Sequence, residues 1–506
     1  MSRKNGGIIG PANTPVGGII TGVASGVWRA NDLLNFVANN QWPKTPQNID
    51  NSLRFDDGSS DNLSLSVSGT SQSTTGTISF WFKRSTLSSD QRVFVNYIDA
   101  NNYGGIKLQS DDTLEVVVVD GGSVTGKLVT NRVFRDVSAW YHCVVAIDSS
   151  NGTAGDRMRL YINGTEETSF STDTNPSSSA TMEFFTDGTN RIGQFNSSQY
   201  FDGYLAEFVM IHGQQLTPSS FGETDSTTGI WKPKKIGQIA NAGDNSFYLD
   251  FKDSSSLGKD QSGLGNDFTV NNLTSIDQST DTCVENFSTM NPLVFNTSTG
   301  NTFAEGNLQV TTTDSAIFGA VSSMGVSSGK WYMEVKPTQI ENKNAIGVTA
   351  AASADAINNH RPGDGAFSAG IRSSGDAKLN GSSESGSWDS FTTSDIVGIA
   401  LDLDNNKLYF SKNGTFMNSG DPTSGATGTG AISLTDPAST TDGFYFFAFG
   451  EPGAGAGTSN IAQFNFGSPP YSISSGNSDG NGFGNFEYAV PSGYYALNTS
   501  NLNTYG

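Results

Sequence analysis

The stretch LDLDNNKLYFSKNGTF, residues 401–416, alternates apolar with polar side chains, breaks at Asn405-Asn406, resumes, and stops at Asn413-Gly414. Asn-Gly readily supplies φ > 0 at both central positions of a two-residue turn, so the phrase specifies a tight antiparallel hairpin. The stretch MRLYINGTEETSF, residues 158–170, has the same grammar around Asn163-Gly164. Alternation leaves little freedom of register, because a slip of one residue turns every apolar side chain to solvent. A chain that spells this element twice is committed to antiparallel sheets with one buried face in two separate places.

Composition points the same way. The 506 residues exceed one ordinary core, and a prior of about 150 residues per domain suggests roughly three units, or two large ones with connecting pieces. Only 15% of residues are charged, Gly is abundant at 59, and Phe (32) and Tyr (15) supply bulk for the cores of short strands. A net charge of −21 argues against nucleic-acid phosphate, which needs clustered Lys and Arg. Cys143 and Cys283 form no disulfide framework or CxxC, and Cys143, within WYHCVVAID, reads as a small buried hydrophobe. The opening GGIIGPANTPVGGIITGVASG is too interrupted by Gly, Pro, Asn and Thr for a signal peptide. No stretch is long enough to span a bilayer, so no membrane insertion is expected.

Along the chain, residues 1–48 read as a Gly/Pro-rich arm with a short helix carrying Leu33, Leu34, Phe36 and Val37 before Pro43. Residues 49–235 contain strand-like runs at 76–84, 114–120, 139–148 and 203–218, with Trp81 and Trp140 expected between the sheets. The order ISFWFK, WYHCVVAID, RLYINGTEE, GYLAEFVMIHGQQLTPSSF resembles the laminin-G-like, concanavalin A-like jelly roll, with Gly203, Glu207, Leu216, Thr217 and Pro218 at its closing motif. Residues 236–300 read as a connector packed against a neighbour. Residues 301–470 form the second unit, and here Gly329, Lys330, Trp331, Tyr332 and Glu334, the pair Gly398 to Gly414, and QFNFG resemble a SPRY domain. Residues 471–506 are a C-terminal extension whose Tyr488, Tyr494 and Tyr495 suggest docking. The fold class expected is therefore all-β: two concanavalin A-like jelly-roll sandwiches in tandem with an extended N-terminal arm.

Signs of catalysis are sparse. Of the three histidines, His142 and His212 fall in strands and read as structural, and His360 lies in a loop. There is no G-x-S-x-G nucleophile elbow, and the E-x-D-x-x-E string of glycosidases with this sandwich is missing, so no enzyme is expected. No cofactor is expected, with Ca²⁺ the one ion worth weighing. Asp402, Asp404 and Asn406 imitate the start of an EF-hand, but Lys407 replaces the loop glycine, and both aspartates read as solvated on a polar strand face. Asp56, Asp57 and Asp61 are a slightly better oxygen cluster and still read as a turn. Ligand contacts are expected at loops 358–367 and 383–391 through His360, Arg361, Asp364 and Trp388, whose aromatic and charged groups suit a sugar or peptide.

GGIIGP at Gly6 to Pro11 and SGVW at Ser25 to Trp28, ahead of tandem sandwiches, resemble virion proteins of tailed bacteriophages of marine bacteria and cyanobacteria. That resemblance implies a virion component at the particle surface, on tail, fibre or capsid exterior. Ile8, Ile9, Pro11, Trp28, Leu33 and Phe36 would anchor it to other virion proteins. It further implies a homotrimeric fibre or appendage that binds host-surface polysaccharide or protein. The alternatives are a capsid decoration protein without ligand and a polysaccharide-degrading tail enzyme.

Overall fold

The computed structural model describes residues 49–69, 74–236, 242–294, 301–312, 317–340, 344–351, 361–452 and 459–506. The expected arm, with Ile8, Ile9, Pro11, Trp28, Leu33 and Phe36, and the loop residue His360 lie outside them.

Both Asn-Gly phrases fold as read. Asn163 and Gly164 have φ of 49° and 77°, and Asn413 and Gly414 have 48° and 80°. The likeness reaches the side chains: Asn163 Oδ1 accepts from the His142 backbone N–H at 2.8 Å, and Asn413 Oδ1 accepts from that of Ile396 at 2.9 Å. Each asparagine N–H also donates to the carbonyl of that same residue, at 2.9 Å in both cases. An asparagine is thus doubly suited, tolerating the left-handed turn and bonding the neighbouring strand.

The hairpins sit in sheets whose strand order is the same through six strands, the seventh following the others in sequence in the first sandwich and preceding them in the second. In the first sandwich the sheet that carries the hairpin runs Thr165–Glu166, Met158–Ile162, Tyr141–Asp148, Thr75–Arg84, Gly203–His212, Ser52–Phe55, Gln278–Ser279. In the second it runs Thr415–Phe416, Lys407–Lys412, Val397–Asp402, Lys330–Gln339, Ile461–Asn465, Gln309–Thr311, Thr302–Ala304. The sheets that face them also correspond. The first is Phe170–Thr174, Ser123–Val133, Thr113–Asp120, Asn102–Leu108, Gln91–Asp99, Gly188–Ile192, Asn62–Val67, Thr269–Asn271. The second has the shorter order Ser382–Ser383, Ala377–Leu379, Ser368–Arg372, Ala345–Thr349, Phe446–Pro452, Ile317–Val321. Between the sheets lie two apolar cores, one including Phe80, Phe82, Phe94, Ile106, Val116 and Leu160, the other Trp331, Val335, Ile346, Ile371, Phe410 and Phe464. Both units are concanavalin A-like jelly rolls of the expected all-β class.

Cys143 belongs to the first core, where burial pushes its thiol far up from the ordinary range. Trp81 and Trp140 do not lie between the sheets. Strand periodicity gives the inward positions to Phe80 and Phe82, so Trp81 must face out. It is covered there by Ile49, Trp140, Trp231 and Cys283, and stacks on His142 at 4.7 Å. Trp231 comes from a small hairpin, Gly222–Thr224 with Trp231–Pro233, laid over the face. A Cβ at Gly164 would fall 2.4 Å from the Trp231 ring, so the turn glycine also makes room for this cover.

Of the stretch 236–300, residues 242–279 are built into the first sandwich, while Phe287 and Met290 pack with the second unit. Phe247–Leu249 pairs with Gly203–His212, Thr269–Asn271 with Asn62–Val67, and Gln278–Ser279 with Ser52–Phe55. Phe247, Leu249, Phe251, Leu257, Phe268 and Leu273 join its core. Beyond them the chain forms a polar seam between the sandwiches. Lys83 Nζ, 1% exposed, meets Asp281 at 2.8 Å, and Trp140 Nε1 donates to the same carboxylate. Arg54 pairs with Asp277 at 3.2 Å and Glu305 at 3.0 Å, Tyr204 Oη donates to the Gly306 carbonyl, and Asn307 to that of Ser85.

The C-terminal extension docks on the outer face of the second hairpin sheet. Phe486 and Tyr494 pack with Tyr332, Tyr409 and Phe287. Glu334, fully buried, accepts from the backbone N–H groups of Glu487 and Tyr488, from Tyr332 Oη and from Asn465 Nδ2. A carboxylate with four donors is settled in place despite burial. Tyr495 stacks on Tyr505 at 3.8 Å, and the closing helix Thr499–Tyr505 is capped by the Asn498 side chain.

Candidate functional site

The loop residues expected to meet a ligand are engaged with their own domain. Arg361 is buried and bonds Asp364 through Nε; Asp364 also takes Arg372 at 2.6 Å, and Arg372 takes Asp376 at 2.7 Å. Burial opposes ionisation of Asp364, but hydrogen bonds and charge from Arg361 and Arg372 hold its carboxyl below the usual range. Trp388 packs against the second core, edge-on to Phe410 at 6.4 Å. The structure thus brings Arg361 and Asp364 together as an ion-pair chain and places Trp388 beneath its own loop.

The acidic phrases are also spent on structure. Asp402 is not solvated: it is fully buried, pairs with Lys330 at 2.9 Å and caps the turn through the Asn405 N–H. Alternation does turn it to the outer face, but the C-terminal extension covers that face, with Lys330 over the Tyr494 ring. Asp404 accepts from the Gly329 N–H. Asp56 and Asp61 close their own turn, the Asp61 carboxylate accepting the Asp56 N–H and that of Asp56 the Gly58 N–H. Among the described residues, no three or more of His, Cys, Asp and Glu gather as a metal site. His142 bonds Ser79 through Nε2 and accepts from Trp231 Nε1 at Nδ1; burial pulls its pKa down to about 3. A neutral imidazole with both nitrogens used is structural.

Glu207 is unusual. It sits in a β-bulge with φ of 49°, its Oε2 accepts from Tyr248 Oη at 2.7 Å, and Oε1 has no partner. Burial pushes its pKa up to about 7, although the Tyr248 bond pulls the other way.

A different site lies on the outer face of the first sandwich's facing sheet. Across the strands there, Arg191 stands opposite Val95, Val95 opposite Gly105, Gly105 opposite Val117 and Val117 opposite Lys127. Tyr97 stands opposite Tyr103. After Gly188–Ile192 the chain doubles back and lays Phe195 edge-on to both tyrosines, at 5.4 and 5.1 Å. The Arg92 guanidinium is 4.8 Å from the Phe195 ring centre and 5.9 Å from that of Tyr103; Arg191 is 4.8 Å over Tyr97.

Arg92 reaches this face through a bulge between Arg92 and Phe94. In an unbroken strand it would share the inward side of Phe94; the extra residue turns it out and buries Val93 instead. Gly105 makes room, since a Cβ there would lie 2.5 Å from Arg92 Nη1. No linear motif marked these residues. The available signal was YIDANNY, tyrosines at outward positions on both sides of a tight turn, where polar residues are the rule.

With that geometry in view, known proteins can be compared. The family model described as the concanavalin A-like lectin/glucanases superfamily (Laminin_G_3) matches residues 57–220, and the SPRY domain model matches 330–432. No curated protein matches the chain. Solved structures similar to it include the SPRY domain of human HERC1, at 15% identity over 35% of this chain and 96% of that one, TM-score 0.24. The SAP-like pentraxin of Limulus polyphemus is similar at 17% identity over 40% and 94%, TM-score 0.28. Domains LG4-5 of the mouse laminin α1 chain are similar at 8% identity over 82% and 89%, TM-score 0.29. The chain carries a concanavalin A-like laminin G domain followed by a SPRY domain, two jelly rolls in tandem.

Proposed function

We propose that this chain is a non-catalytic virion protein, a fibre or appendage component that binds host-surface glycan or protein. Residues 1–48 attach it to other virion proteins, as a homotrimer, and the sandwiches project from that anchor. The observation that carries the binding part of this reading is the aromatic and arginine cluster on the outer face of the first sandwich's facing sheet. Three partly exposed rings and a partly exposed guanidinium, with a second guanidinium buried beside them, offer a platform for stacking and hydrogen bonding, the mix that recognition sites use. The polar seam supports the mechanical part, because a rigid pair of domains presents such a face at a fixed distance from its anchor. Carbohydrate or protein binding also suits a laminin G domain of lectin type.

Two measurements test the reading. Purified full-length protein is expected to bind host cells and a glycan array, with binding reduced at least ~10-fold by Phe195→Ala or Tyr103→Ala, a loss in the range of stacking contacts. Immunogold labelling is expected at tail or fibre tips. Label spread evenly over the head, together with no binding to cells or glycans, would make the protein a capsid decoration instead. Reducing sugar released from host polysaccharide would replace the reading with a depolymerising enzyme.

A further inference from the structure

We infer that the outer face of the first sandwich's facing sheet takes an acidic saccharide, with Arg92 and Arg191 receiving its carboxylate while Tyr97, Tyr103 and Phe195 receive its ring. The inference rests on the glycan-binding reading and narrows it to a ligand class.

Arg92 is the centre of the case. It is 3% exposed, its Nε and Nη1 have no hydrogen-bond partner, and its Nη2 makes one bond of 3.2 Å, to Gln199 Oε1. A buried cation with unspent donors is a standing cost to the fold. A methionine would fill the space over Gly105 without that cost, so the arginine needs a reason outside the fold's own packing. An anion brought by a ligand supplies one.

Charge on the face agrees. Lys107 pairs with Asp90 at 3.1 Å, and Lys127 with Glu115 at 2.6 Å. Neither Arg92 nor Arg191 makes an ion pair among the described residues. In a protein of net charge −21, two arginines that form no ion pair among the described residues stand on one face, Arg92 over Phe195 and Tyr103 and Arg191 over Tyr97, and mark a place for a negative group even though Glu115 and Asp90 also attract Arg92. Planar guanidinium suits carboxylate geometry better than ammonium does.

Access to Arg92 runs under the loop 194–200. That loop holds three non-glycine residues in left-handed conformation, Asn196 (φ 44°), Ser197 (φ 67°) and Gln199 (φ 51°). Strain of this kind gathers at ligand clamps and has to be held by contacts. The contacts that hold it are Gln194 Nε2 to Asn62 Oδ1 at 2.7 Å, the Ser197 N–H to Gln194 Oε1 at 2.6 Å, backbone bonds between Phe195 and Ser198, Arg191 to Asn196 Oδ1 at 3.0 Å, Asn196 to Tyr97 Oη at 3.2 Å, and Gln199 over Arg92. Swinging the Gln199 side chain away keeps its carbonyl bonded to the Arg92 N–H at 2.8 Å and frees the guanidinium for a carboxylate.

The test is calorimetric titration of the full chain with a short oligogalacturonate and with its methyl ester, which has the same rings without the charge. Binding is expected to weaken at least tenfold on esterification, with Arg191→Gln and with Arg92→Met, and to weaken as salt is raised. Arg191 is only partly buried, so its variant stays informative even where Arg92→Met unfolds, which a melting curve reveals. Equal binding of acid and ester, or wild-type affinity in both variants, overturns the inference. Glycan-array binding that survives this but is lost in Tyr103→Ala leaves the broader glycan reading standing. Binding to no saccharide at all removes both.

Discussion

The two sandwiches share a strand order and differ in what their outer faces carry. Both hairpin sheets are covered by later chain: the first by the Trp231 hairpin and the seam, the second by the extension that bonds Glu334. The facing sheets diverge. In the first, the row through Gly105 is flanked by Arg92 and the rings of Tyr97, Tyr103 and Phe195. In the second, the corresponding row runs Ala448, Gly347, Gly370, Lys378, and the chain at Pro362 lies directly on Gly370. One jelly roll fills this face with large side chains, whereas the other closes the equivalent face with its own loop. A shared fold therefore does not imply a shared site.

The largest effect should come from the seam that makes the two halves one body. Asp281→Ala leaves Lys83 buried without its counter-charge, at a cost of about 3–5 kcal/mol. Calorimetry is expected to move the melting transitions of the two sandwiches apart. Transitions that keep their wild-type separation would mean that the sandwiches were never coupled through this pair.

The first sandwich should next differ from the second in its response to pH. Glu207 has a folded-state pKa raised from the ordinary 4.5 to about 7, so its contribution is intact below pH 4.5 and is lost as pH rises through about 7. At pH 8 that loss is about 3 kcal/mol. Glu207→Gln should flatten the pH dependence of the first transition between pH 5 and 8 and leave the second unchanged; a profile that keeps its slope would place the titrating group elsewhere.

Paired glycine substitutions bear on the facing sheets. Gly370→Ala places a Cβ 2.6 Å from the Pro362 carbonyl oxygen, a backbone atom, and should destabilise by about 1–3 kcal/mol. Gly105→Ala meets only the end of the Arg92 side chain, so it should cost less and act mainly on ligand binding. Equal losses of stability would erase the distinction drawn between the two faces. The smallest effect concerns what the domains share. Asn163→Ala and Asn413→Ala should each cost about 1–2 kcal/mol in the matching transition, through a left-handed turn and one lost hydrogen bond. A silent change at either position would show that the two hairpins are not equivalent.

Much of the fold was legible in the chain because strand alternation and turn residues act over short distances. Phe80, Phe82 and Phe410 announce inward faces by period, and Asn163-Gly164 and Asn413-Gly414 announce turns by backbone strain. The same period, applied strictly, would have turned Trp81 outward. Its burial misleads because the cover, Trp231, comes from 150 residues later in the chain. The site was legible only in part. Arg361, Asp364 and Trp388 have the residue types of a binding loop, but whether such groups face a ligand or one another depends on side-chain neighbours, and here Arg361 and Asp364 found each other. Arg92 could not be read, because a one-residue bulge reverses the face that alternation assigns it.

By itself the sequence determined that this protein is all-β, that it contains two sandwiches, and where their hairpins turn. These follow from side-chain periodicity and from the few residues that accept φ > 0. Tertiary structure alone decided what lies on each outer face. That choice depends on contacts such as Lys83 with Asp281 and Glu334 with Glu487, far apart in the chain, and no local pattern encodes which distant segment will fall on a given face.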